Sequence, residues 1–70
     1  MLVKTDLHAG EITLYGTEWC SWTQKQRQYL DGKGLQYSFV NCDKQSCPDF
    51  VNGYPTLVMD GQVIHGFKEV

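Results

Sequence analysis

Between Ile12 and Val40 the chain lays out a strand, a helix and a second strand, and that order leaves little choice of topology. Ile12, Leu14 and Tyr15 are strand formers closed by Gly16. Thr17 to Ser21 reads as a turn. A helix is expected from about Ser21 to Asp31, with Trp22, Tyr29 and Leu30 at i, i+7 and i+8 on its apolar face. Its other positions are Gln, Lys and Arg, good helix formers on a solvated face. Gly32 and Gly34 end it. Leu35 to Val40 alternates and then turns apolar, as a second strand does. Strands joined by so short a helical crossover are parallel, and the crossover is right-handed. Their C-terminal ends then share one edge of the sheet. That edge carries the turn into Cys20 and, beside it, Asn41-Cys42.

The second half reads as Asp43 to Val51 in a short helix, with Pro48 allowed in its first turn. Asn52-Gly53 is a stop. Two strands follow, Thr56 to Met59 and Gln62 to His65. Asp60-Gly61 between them is the sequence of a two-residue type I′ hairpin turn. The expected fold is α/β in the order β-α-β-α-β-β: a mixed four-stranded sheet with helices on its faces. Residues 1–70 read as one domain, with 1–11 an N-terminal extension that the pattern leaves unassigned. Leu2-Val3 suits at most a short strand.

Cys20 carries the chemistry. At a helix N-terminus, unpaired N–H groups and the helix dipole favour negative charge. A thiol there ionises below the free value of about 8.5, and the thiolate is the nucleophile. The chain has three cysteines, Cys20, Cys42 and Cys47, whereas a secreted disulfide scaffold usually carries an even set. A net charge of −2 gives no reason to expect nucleic acid or an anionic membrane as a partner. No apolar run approaches the roughly 20 residues of a membrane span, and Met1 to Asp6 lacks a signal-peptide core. The expected location is the cytoplasm.

These residues resemble the glutaredoxins of the thioredoxin superfamily. The resemblance rests on Tyr15-Gly16-Thr17-Glu18-Trp19-Cys20, on Tyr54-Pro55-Thr56 before the hairpin, and on the run from Pro55 to Phe67, over about residues 12 to 69. It implies a minimal thioredoxin-like fold and a cis bond before Pro55. It also implies a glutathione-binding surface of Trp22, Tyr54, Pro55, Gly66, Phe67 and Lys68. Catalysis falls to Cys20, with Thr23 as a hydrogen-bond donor to its thiolate. The usual Cys-x-x-Cys is here Cys20-Ser21-Trp22-Thr23, a monothiol variant. Other departures are Thr17 in place of a basic residue, His65 in place of the first Gly of Gly-Gly, and Lys68 where the family has an acid. The family's final helix is nearly or wholly missing, which would bare an apolar sheet face unless residues 1–11 cover it.

The implied activity is glutathione-linked thiol–disulfide exchange, with glutathione as co-substrate and disulfide-bearing proteins as substrates. The alternative is binding or carriage of a 2Fe-2S cluster with Cys20 as ligand. Cys42 and Cys47 have three readings: Cys42 as a resolving thiol, the two bonded to each other, or both free. A mononuclear metal site of the three cysteines plus His8 or His65 lacks paired ligand spacing. Of the two tryptophans, one is expected in the core and one over the thiol. Lys25 or Arg27 is placed to steer anionic glutathione, on a face that otherwise serves solubility. The expected state is a monomer or weak homodimer.

Overall fold

The computed structural model describes residues 11–70; the Leu2-Val3 strand and His8 lie outside them. The elements are β1 (Ile12–Gly16), α1 (Ser21–Gly32), β2 (Ser38–Asn41), β3 (Thr56–Met59) and β4 (Gln62–His65). The sheet order is β2-β1-β3-β4. β1 is parallel to β2, with Leu14 opposite Phe39, and antiparallel to β3, with Leu14 opposite Leu57. β3 and β4 form the hairpin, Met59 opposite Gln62. Asp60 and Gly61 both have positive φ, 55° and 78°, as a type I′ turn requires.

β1 is the central strand. Ile12, Leu14 and Gly16 alternate onto one face and are buried there. Their cross-strand partners Phe39, Leu57 and Met59 share that face. The core is Ile12, Leu14, Leu57 and Leu30 of α1. Fully burying a leucine such as Leu30 contributes about 1.5–3 kcal/mol. Four such side chains make a small core among the described residues, so polar contacts and a covalent link matter here.

α1 ends where the glycines place it. The Leu35 N–H donates to Leu30 O at 3.0 Å and the Gly34 N–H to Asp31 O at 3.0 Å. Gly34 takes φ 71°, and Leu35 packs back on the core. This is a Schellman stop with its hydrophobic contact. It also spends the Leu35 amide on the helix, so β2 starts at Ser38 rather than Leu35.

Two further expectations are corrected. The buried stripe of α1 is Thr23, Gln26 and Leu30, not Trp22, Tyr29 and Leu30. Trp22 is 53% exposed, and Tyr29 sits at the edge of the core. Polar side chains occupy the stripe because each has a specific seat. Thr23 lies on Gly16, and the Gln26 amide pairs with the backbone of Lys68, accepting from its N–H at 2.8 Å and donating to its O at 2.9 Å.

Second, no helix forms between Asp43 and Val51. Cys42 and Cys47 are bonded, their Cα atoms 5.6 Å apart. Five residues of α-helix advance about 7.5 Å, so the bridge and the helix exclude each other. The segment turns instead. Asn41 O accepts from the Lys44 and Gln45 N–H groups, and Asn41 Oδ1 accepts from the Asp43 N–H.

The segment after β4 lies over α1 as an irregular strap. Beyond the Gln26–Lys68 pair, the Tyr29 hydroxyl donates to Val70 O at 3.0 Å. The Phe67 ring sits between Trp22 and Tyr29 at 5.9 and 6.0 Å. On the opposite face of the sheet Tyr15 meets Phe50 edge-on, and Val63 is 40% exposed.

Candidate active site

The site grows from the C-terminal end of β1. Gly16 is buried there, and its absent side chain leaves the space that Thr23 fills. A Cβ at position 16 would lie 2.6 Å from Thr23 Oγ1 and 2.7 Å from its Cγ2. This contact seats the first turn of α1 against the sheet. Thr17 is fully buried, which is why no long basic side chain stands there. Its carbonyl accepts from the Cys20 N–H at 3.4 Å. Cys20 is the N-cap residue of α1, with extended backbone, and its carbonyl accepts the first helical bond from Gln24 at 3.1 Å.

Cys20 is a free thiol, part-exposed. As a thiol it closes no capping hydrogen bond. As a thiolate it is the acceptor for three nearby donors. Burial is the largest single influence on its ionisation and opposes the charge. The N–H and hydroxyl of Thr23 and the N–H of Trp22 together outweigh burial, and the pKa falls below the ordinary thiol value. Thr23 Oγ1 is buried with no hydrogen-bond partner in the resting arrangement. The charge that would call on it is a thiolate on Cys20.

The tryptophans on either side of Cys20 in the chain each meet another ring. Trp19 meets Tyr54 edge-on at 6.1 Å. Trp22 meets Phe67 at 5.9 Å. A groove of about 430 Å³ is lined by Trp22, Tyr54, Pro55, Gly66 and Phe67. Its floor is the Tyr54–Pro55 loop, where the peptide bond is cis. The loop is fixed by the Gly66 N–H donating to Pro55 O at 2.8 Å and the Thr56 hydroxyl donating to Gly53 O at 2.8 Å. Lys68 is exposed next to Phe67, its backbone held by Gln26.

The structure thus sets Cys20 against Thr23 and Trp22, and gathers Trp22, Tyr54, Pro55, Gly66 and Phe67 around one groove, so Trp22 is common to both groups. It keeps Cys42 and Cys47 out of the thiol chemistry by bonding them to each other. That leaves neither of them to resolve a mixed disulfide in this state, nor to join Cys20 in a three-cysteine metal site. Among the described residues no group of three His, Cys, Asp or Glu side chains converges on a metal position. A 2Fe-2S cluster would draw one thiolate per chain from Cys20, so its remaining ligands would come from a second chain and from non-protein thiols.

Neither tryptophan is in the core: Trp19 is 70% exposed and Trp22 53%. Lys25 stands over the ring of Trp22, a groove residue, at 5.0 Å. Arg27 does not; it covers Phe39 at 4.3 Å and donates to the Tyr37 hydroxyl. Sequence reasoning missed Gln26 and Asp43. The Trp19 indole N–H donates to Asp43 Oδ2 at 2.6 Å, tying the active-site turn to the disulfide loop. A glutamine inside a helix carries no signal of burial. An aspartate one residue after a cysteine carries none of a contact 24 positions away.

Comparison with known proteins follows the same lines. Residues 14–66 match the family described as glutathione S-transferase, N-terminal domain. A "glutaredoxin-like 8.6 kDa protein in rubredoxin operon" of Clostridium pasteurianum, itself uncharacterised, is 28% identical over 65 residues, covering 83% of this chain and 87% of the relative. The fold is similar to the crystal structure of the glutaredoxin from Methanosarcina mazei Go1, with TM-score 0.72 and 23% identity over 86% of this chain and 71% of that one. It is also similar to the glutaredoxin of Archaeoglobus fulgidus, with TM-score 0.70 and 17% identity over 86% and 78% of the two chains. The chain therefore belongs to the glutathione S-transferase N-terminal domain family, and its fold is similar to that of the glutaredoxins. No helix among the described residues is long and apolar enough to cross a membrane.

Proposed function

We propose that this protein is a glutathione-linked thiol–disulfide oxidoreductase that works through one thiolate, Cys20. The observation that carries this reading is a free thiol at the N-terminus of α1, its ionised form favoured by Thr23 and by Trp22, the latter also lining a groove of about 430 Å³. The substrate is a protein–glutathione mixed disulfide. Its glutathionyl part lies in the groove, between Trp22 and Phe67 on one side and Tyr54-Pro55 on the other. The main chain of Tyr54 pairs with the extended tripeptide, and Gly66 lets it approach closely. Lys68 supplies a cation for a glutathione carboxylate.

The Cys20 thiolate attacks the glutathione sulfur in line with the disulfide. The S–S bond breaks, and the protein cysteine leaves as a thiolate that takes a proton from water. A Cys20–glutathione disulfide remains. A second glutathione, as thiolate, attacks the glutathione sulfur of that bond, releases oxidised glutathione and restores the Cys20 thiolate. One cysteine suffices because exchange proceeds through mixed disulfides at every step. Thr23 is not a resolving group; its hydroxyl stabilises the attacking and leaving forms of Cys20 alike. The test is glutathione-dependent reduction of a small glutathionylated disulfide beside the Cys20→Ser variant. Turnover in the parent and none in the variant is expected. Equal turnover in both would refute the assignment.

A further inference from the structure

We propose that Asp43 and the Cys42–Cys47 bridge form a positioning device for the active-site turn, holding Trp19 in place beside Cys20. The proposal rests on Cys20 as the exchange thiol. It adds a role for the Cys42–Cys47 pair, which acts through an aromatic side chain rather than through its own sulfurs.

Among the described residues Trp19 is the most exposed of the large apolar side chains, yet it is fixed on two sides. Its indole N–H donates to Asp43 Oδ2 at 2.6 Å, a bond to a carboxylate and stronger than one between neutral groups. Its ring meets Tyr54 edge-on at 6.1 Å. An exposed ring held in one orientation loses little entropy when a partner packs on it, which is how aromatic anchors work at binding surfaces.

Asp43 is held in turn. Its N–H donates to Asn41 Oδ1 at 2.9 Å, and the Cys42 N–H donates to Gly16 O at 2.8 Å, which extends the parallel pairing of β1 and β2. The bridge from Cys42 to Cys47 closes the loop in which Asp43 sits. The chain of contacts therefore runs from the bridge to Asp43, to Trp19, and to the turn that carries Cys20. Gln24 Nε2 donates to Glu18 O at 2.8 Å and ties the other side of that turn to α1.

The bridge can be opened without touching Cys20. A dithiol reductant gives up two electrons and two protons to Cys42 and Cys47 and closes its own disulfide. The loop then loses its closure, Asp43 its fixed place, and Trp19 its hold. Substrate capture weakens while the thiolate of Cys20, whose donors lie on α1, keeps its reactivity.

The experiment has two readouts. Steady-state kinetics compare the parent with Asp43→Ala, Asp43→Asn and the Cys42→Ser/Cys47→Ser pair. A rise in KM of about threefold to tenfold at unchanged kcat is expected for Asp43→Ala and for the double serine variant, the range one hydrogen bond supports. Asp43→Asn keeps an acceptor oxygen and restores most of the loss. Combining Asp43→Ala with the opened loop should add nothing further, because both act through Trp19. The second readout is fluorescence anisotropy of Trp19 in a Trp22→Phe, Cys20→Ser background, where exchange chemistry is absent and one tryptophan remains. Anisotropy should fall on Asp43→Ala and on reduction of the bridge by a dithiol. Unchanged anisotropy in both, or losses in KM that add independently, would overturn the proposal. Absence of turnover in the parent would defeat the exchange reading instead, and the anisotropy result would still decide this one.

Discussion

Thr23 has two tasks at one address. Its side chain fills the space above Gly16, and its N–H and hydroxyl favour a charge on Cys20. The two tasks separate by mutation. Thr23→Val keeps the volume and loses the hydroxyl, so the Cys20 pKa rises and alkylation by iodoacetamide reaches half its limiting rate at a higher pH. The sign extends to stability. A thiol whose folded pKa is lowered stabilises the fold at pH above its unfolded value, and that contribution is lost as pH falls through the folded value. Denaturation midpoints followed down in pH should therefore decline less in Thr23→Val than in the parent. Gly16→Ala tests the packing task. The added Cβ would collide with Thr23, and an overpacked site of this kind costs about 1–3 kcal/mol. Urea unfolding at neutral pH measures it. At this scale the place of Cys20 at the start of α1 was legible in the sequence, because a closed strand precedes it and a run of helix formers follows. The seat of Thr23 was not, since the pairing of a glycine with a threonine seven positions on emerges only when helix and strand pack.

α1 shows which parts of an element are written locally. Its start and its Schellman stop came from Cys20, Gly32 and Gly34, and Asp60-Gly61 announced the hairpin where it lies. The face that α1 buries did not, because burial follows partners rather than hydropathy here. Gln26 is fully buried and satisfied at both ends by Lys68. Gln26→Ala should leave the N–H and C=O of Lys68 without partners, at about 1–3 kcal/mol for each group that water fails to reach. A lowered urea midpoint and faster hydrogen exchange at Lys68 are the expected result. The segment from Asp43 to Val51 failed as a helix for the opposite reason. Its composition allows one, but a bridge between Cys42 and Cys47 holds their Cα atoms closer than a helix permits. Cysteine spacing alone left bonded, resolving and free states open.

At the scale of the molecule, the four buried apolar side chains among the described residues leave a narrow margin, and the bridge and the strap over α1 supplement it. Closing a loop as short as that between Cys42 and Cys47 is worth about 2 kcal/mol in the chain-entropy account. The Cys42→Ser/Cys47→Ser variant should unfold at correspondingly lower urea and remain folded at neutral pH without denaturant. The parallel unit, the hairpin and the mixed sheet were all legible, because strand–helix–strand order and turn chemistry fix them. The strap was not, since Phe67 to Val70 makes no regular element and its hold depends on Gln26 and Tyr29 far back in the chain.

The central claim is that one sulfur carries the exchange. Its most direct test is a single turnover with a glutathionylated peptide, stopped in acid and mapped by mass spectrometry of the digested protein. The account predicts a glutathionyl group on Cys20 alone, with Cys42 and Cys47 still joined to each other. A glutathionyl group on Cys42 or Cys47, or a bond between Cys20 and either of them, would contradict it.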